Sequence, residues 1–207
     1  SRYIAESRRI RFEGNSYSQE WIDEAARRGL SNHTSTPGAL RAYISDSSIT
    51  LFERNKILTS RELQARYEIK LENYVRMVQI EARVMGDLAI NHIIPIAIRY
   101  QNTLLDNVRG LKEVIDPKTF TTLAKNQVHT IKAISEHIST IKQLVDNMVE
   151  ERKKANNMEL TEEMAHAYLD HVVPYFEEIR IHVDKLEMLV DDELWPLPKY
   201  RELLFSR

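Results

Sequence analysis

The chain has no cysteine, so neither disulfides nor thiolate metal sites are open to it. Glycine is scarce, with five residues at positions 14, 29, 38, 86 and 110. Hairpin-rich sheets consume more turn glycine than that, and the shortage favours helix. Long apolar runs are missing too. The longest stretch free of Asp, Glu, Lys and Arg around the apolar centre is 88–98, and it holds Asn91, His92 and Pro95. It is too short and too polar to span a bilayer, so no membrane partner is expected. A net charge of −2 over 207 residues leaves no electrostatic footprint for nucleic acid or anionic lipid. Nothing at the N-terminus resembles a signal peptide, and the chain opens on Ser1-Arg2-Tyr3 without Met, as a fragment or a processed product would. The lack of cysteine is compatible with a reducing compartment without proving one, and the location expected is cytoplasmic.

What is present is an ordinary globular balance, 43% hydrophobic and 29% charged. Residues 1–17 alternate weakly around Ile10-Arg11-Phe12, which leaves room for one short strand. Ser18 is placed as an N-cap before "QEWIDEAARR", and Gly29 suits a left-handed stop. Thr36-Pro37 reads as a cap followed by proline at the first helical position. A further short helix is predicted from about Ser47 to Arg54, ending at Asn55.

Thr59 and Glu62 have capping-box spacing, and from there to Gly110 only Pro95 interrupts a helical pattern. Its seam is Leu71, Val75, Val78, Ala82, Met85 and Ala89, then His92 or Ile93, then Ile96. Pro95 predicts a kink, because it lacks an N–H and crowds the carbonyl of Asn91. Asp116-Pro117 opens a second long helix with the seam Ala124, Gln127, Ile131, Ile134, Ile138, Ile141, Val145 and Met148. After the polar stretch 150–160, Thr161 opens a third, interrupted by Pro174. Its rougher stripe is Met164, Tyr168, His171, Tyr175, His182, Leu186 and Leu189, and "RELLF" (201–205) closes the chain as an amphipathic scrap. Short connections make successive helices antiparallel. The predicted fold is therefore mainly α: an elongated antiparallel bundle of three long helices with a small N-terminal part. The division is placed at 1–58 and 59–207.

The stretch "IEARVMGDLAINHIIP" (80–95) sets Glu81, Asp87 and His92 in apolar surroundings. On a helix, Glu81 and His92 share a direction but lie roughly 16 Å apart, and Asp87 is turned about 240° from Glu81. They cannot form one site. Asp87 is spaced for a helix ion pair with Arg83, and His92 for a core histidine bonded to a carbonyl beside the proline. Glu163-Met164-Ala165-His166 matches one Glu-x-x-His unit of di-iron bundles, which need two. His166 and His171 are five apart, not four. No glycine-rich nucleotide loop and no nucleophile elbow is present, and the pairs Arg8-Arg9, Arg27-Arg28 and Lys153-Lys154 read as solvated. No catalytic, cofactor-binding or metal residue is assigned. A metal-binding bundle using His92, Glu163 and His166 from different helices is the weakest of three readings.

One run says more. The segment "RYEIKLENYVRMVQIEARVMGDLAINHIIPIAIRYQNTLLDNVRGL" (66–111), preceded by "IRFEGNSYSQEWIDEAARRGLSN" (10–32), closely resembles the C-terminal region of type III glutamine synthetase, the large bacterial form. The tight matches are "RFEGNSYSQEW", "TPGAL" and "IEARVMGDLAINHIIPIAIRYQN", and the resemblance covers at least 8–115. It implies a parent ligase that joins ammonia to glutamate in nitrogen metabolism, using ATP with Mg or Mn, and a large double-ring homo-oligomer. The implied catalytic glutamates and phosphate-binding arginines lie upstream, so this segment is expected to hold no cofactor and to be inactive alone. Residues 1–58 would be the end of the catalytic domain, packed on the remainder of that domain, and the long helices an assembly element. The competing reading is a stand-alone helical oligomerisation or partner-binding module.

Overall fold

The computed structural model describes residues 2–158 and 161–204. It divides into two compact units, Ser1–Tyr67 and Glu68–Arg207, each taken by itself below. The chain is mainly α, and no strand occurs among the described residues.

In the first unit, helix α1 (Arg2–Glu6) and a 3-10 turn (Ser7–Ile10) lead into extended chain. The strand expected around Ile10-Arg11-Phe12 does not form. A lone extended segment has no ladder to satisfy its backbone groups, and side chains of the next helix hold it instead. The Phe12 ring lies against Trp21 at 4.9 Å between centroids, and Arg28 donates to the Arg11 carbonyl. Helix α2 (Gln19–Arg27) has Ser18 at its N-cap position, but the Ser18 hydroxyl donates back to the Asn15 carbonyl at 2.7 Å rather than capping. Gly29, at φ 70°, makes the left-handed stop that its lack of a Cβ allows. Hydrogen bonds from Arg27, and then from Arg28, hold the Glu24 carboxyl down to about 2. The next cap falls on Ser35, one residue before the position expected, and Pro37 is buried in the first turn of α3 (Thr36–Leu40). A 3-10 turn (Arg41–Ile44) comes next. Ser45 then caps α4 (Asp46–Arg54), its hydroxyl accepting from the Ser48 N–H at 3.3 Å, and Asn55 ends it. Ala25, Pro37, Leu63 and Tyr67 are buried here, whereas Tyr3, Tyr17, Leu51 and Ile57 are exposed.

Helix α5 (Ser60–Asp87) begins with the capping box the sequence promised. The Thr59 N–H donates to Glu62 at 2.8 Å, and the Glu62 N–H returns to Thr59 Oγ1 at 3.3 Å. The boundary between the units falls inside this helix, at 67/68. α5 continues through a π-helical turn, π1 (Leu88–Ile93), into α6 (Ile94–Val114). Asp116 caps α7 (Pro117–Leu123) by accepting from the N–H groups of Lys118 and Thr119 at 3.1 and 3.2 Å. α8 (Lys125–Asn156) is next, then α9 (Thr161–Ala167), a second π turn, π2 (Tyr168–Val172), and α10 (Pro174–Leu189). The last described helix is α11 (Tyr200–Leu204), and Phe205 of the expected terminal stretch lies outside the described residues.

In the second unit α8 is the central helix, packed on α6 along one side and α10 along another. Gln79 bonds Asn156 while Gln101 bonds Ser135, so α8 runs antiparallel to the first long helix. Tyr168 bonds Asn156 while His137 meets His182, so α10 runs antiparallel to α8. The seam of α8 is as the sequence reads, with Ile134, Ile141, Val145 and Met148 buried.

The two proline-interrupted seams differ from expectation, and for one shared reason. Proline has no N–H, and in each case the residue before it closes a bond five residues back, Ile94 to the Ala89 carbonyl and Val173 to that of Tyr168. The wider turn changes which residues face inward. Ala89 and Ile93 are buried as the seam has them, with Gly86 in place of Met85 before the turn and Ala97 in place of Ile96 after it. Tyr168 and Leu186 are buried as the stripe has them, Val172 takes the place of His171, and Ile179 is buried as well. His92 is exposed, so it is not a core histidine. Asp87 accepts from Asn91 at 2.6 Å, one turn on, and not from Arg83.

Candidate functional site

Among the described residues, the candidate site residues singled out in the sequence do not converge. Among the described residues no group of three His, Cys, Asp or Glu could hold a metal ion. His92 and Glu163 are exposed and His166 is half-buried, and they form no such group. Glu81, Asp87 and His92 are likewise not brought together. No helix among the described residues is long and apolar enough to cross a membrane.

The bundle offers a groove instead. One wall is the end of α5 with π1, contributing Ile80, Val84, Leu88 and Ile93, and the other is α10, contributing Phe176 and Val183, with Leu197 at one end. Its volume is about 470 Å³. The walls are almost wholly apolar, and the charged Glu81 and Arg180 stand on opposite sides. Ile80 and Val84 lie off the buried seam and are 54% and 51% exposed. On the core side of α5 the packing is close: a Cβ placed on Gly86 would stand 3.5 Å from Val145 and 3.7 Å from Met148. Beyond α10 the chain folds back under its own end. Lys199 donates to the Glu187 carbonyl at 2.8 Å, pairs with Asp192, and lies 5.8 Å from the Trp195 ring. A cation on the last carbonyls of α10 completes the helix end, and this fixes the segment that carries Leu197.

Besides the Gln101 bonds between α6 and α8, two polar contacts tie the helices together. Asn156 Oδ1 accepts from Gln79 Nε2 at 3.1 Å and from the Tyr168 hydroxyl at 2.8 Å. Burial pushes the Tyr168 phenol up, against a counter-pull from the Arg152 guanidinium. Arg152 Nε is itself buried without a hydrogen-bond partner. The second contact joins His137 of α8 to His182 of α10, Nδ1 to Nδ1 at 3.0 Å. Sequence reasoning placed His182 on a stripe and gave His137 no role, since neither spacing nor motif links positions 45 apart.

The described residues thus define an all-helical protein whose second unit carries an apolar groove. The comparisons give it a family. The model of the glutamine synthetase C-terminal domain matches residues 1–112, and the chain belongs to that family. It is 50% identical over 204 residues to a glutamine synthetase of Bacteroides fragilis (strain YCH46), covering 99% of this chain and 28% of that protein. It is 31% identical over 199 residues to a glutamine synthetase of Butyrivibrio fibrisolvens, covering 96% of the chain and 28% of that protein. A type-3 glutamine synthetase of Dictyostelium discoideum is 30% identical over 199 residues, covering 96% and 27%. The type is therefore not confined to bacteria. The chain spans little more than a quarter of these relatives and corresponds to their C-terminal part.

Proposed function

We propose that this chain is the C-terminal portion of a glutamine synthetase. The parent ligates ammonia to glutamate with ATP and Mg or Mn in the cytoplasm, and this portion completes and assembles the enzyme without touching the reacting atoms. The observation that carries the reading is the thin core of the first unit. A free-standing domain buries its large apolar residues, yet here Tyr3, Tyr17, Leu51 and Ile57 are exposed, as suits the last piece of a larger domain packed on its remainder. The described residues offer no ligand set for the metal ion, so no step of the ligation is assigned to them.

The groove gives the bundle its role in that reading. An apolar trough with opposite charges on its two walls suits a helix from another subunit of a homo-oligomer. In the full-length enzyme, Val84→Glu places a charge in the trough without entering the seam. The expected outcome is a smaller assembly on size-exclusion chromatography with light scattering. Deletion of 117–207 should have the same effect. An assembly of unchanged size and full activity after both changes sinks the assembly role.

A further inference from the structure

The contact between His137 and His182 is a hydrogen bond that only some protonation states can make. Both nitrogens are Nδ1, 3.0 Å apart, and the rings meet edge to face at 60° with 5.2 Å between centroids. With both rings neutral, one tautomer donates and the other accepts. One added proton is also accommodated, because an imidazolium still donates to a neutral partner. A second proton leaves two N–H groups facing each other and two positive charges in contact, and the bond cannot exist.

The surroundings do not relieve that conflict. The charged or titratable groups acting on His137 are His182 and Lys185 from α10 and Glu136 from α8 itself. On α10, Glu178 and Lys185 lie one turn either side of His182 by spacing. The positions a turn from His137 on α8, Ala133, Ile134, Thr140 and Ile141, are neutral. α6, also packed on α8, brings the neutral Gln101 to Ser135 and to the Ile131 carbonyl. Both histidines are half-buried, so water screens a doubly charged pair only in part.

We propose that His137 and His182 form an acid-sensitive latch between α8 and α10, closed with one proton or none added and opened by the second.

Burial, and then the neighbouring His182, hold the His137 imidazole below its usual 6.5. A histidine depressed by folding contributes stability that is complete above the unfolded value and is lost as pH falls toward the folded value. The loss therefore sets in below about pH 6.5.

The test compares thermal unfolding of the full chain with that of His182→Gln and of the double variant His137→Gln, His182→Gln, from pH 7.5 to 4.5. Glutamine keeps a hydrogen-bonding group and removes the titration. The expected result is a steeper fall in Tm for the unmodified chain than for either variant below pH 6.5. Parallel profiles for all three overturn the latch. Imidazole 15N shifts of the unmodified chain test it independently of how the variants fold. The latch requires two protonation steps separated by about one pH unit or more, the second accompanied by lost α8–α10 contacts. Two superimposed, independent titrations with the contacts retained overturn it.

Discussion

Tyr168 is buried where three elements meet, and its hydroxyl has one hydrogen bond to give, to Asn156, which also holds Gln79. The layer therefore fixes how far α8, α5 and π2 may slide past one another, because apolar seams alone tolerate small shifts. Tyr168→Phe keeps the ring and strands part of the Asn156 acceptor. A loss of about 1 kcal/mol of stability is expected, read from the urea midpoint at unchanged m-value. Tyr168→Ala also empties the ring's site and should cost about 3–5 kcal/mol. If the Phe variant matches the parent protein, the hydrogen bond has no net value. Such side-chain partnerships were the least legible features of the sequence. His137 and His182 carry no motif, and Arg83-Asp87 has ion-pair spacing but Asp87 bonds Asn91. Spacing reports which residues can meet along one helix, not which partner wins.

At the scale of elements, local chemistry was legible and phase was not. The Thr59–Glu62 capping box, the Asp116 cap and the Gly29 stop rest on groups within a few residues of one another, and each stands where the sequence put it. The α8 seam, free of proline, was also readable to the residue. Around Pro95 and Pro174 a fixed 3.6-residue period slips by a residue, naming Ile96 for Ala97 and His171 for Val172 though it still finds Leu186, because the π turns accommodate the missing N–H. The Ile10-Arg11-Phe12 alternation misled for a different reason: three residues cannot tell a strand from a segment pinned by Trp21 and Arg28. The register beside π1 has a testable partner in Gly86, a glycine in a helix interior facing Val145 and Met148. Gly86→Ala finds ordinary contact distances and should gain up to about 1 kcal/mol from helix propensity. Gly86→Leu should overpack and cost about 1–3 kcal/mol. Chemical denaturation of the pair separates the two effects, and a destabilised Ala variant contradicts the packing described.

For the molecule as a whole, the family was legible because the runs 10–32 and 66–111 are long and specific, while the chemistry was not, because no sequence motif marks it and the described residues gather no metal-ligating cluster. The functional expectation is direct. Purified alone, the chain should release no phosphate from ATP in the presence of glutamate, ammonia and Mg or Mn. A coupled phosphate assay showing turnover above the no-protein rate would place catalytic groups within these residues after all. The two π turns also give the bundle an unusual tolerance for changes in length. Deleting one residue anywhere else in α5, α6 or α10 rotates everything beyond it by about 100° and turns a buried face outward. Within Leu88–Ile93 or Tyr168–Val172, a one-residue deletion with the adjoining proline replaced leaves an unbroken α-helix whose downstream residues still face the core. Both outer helices thus carry a spare residue beside a proline, and these are the places where related chains can differ in length without rebuilding the bundle.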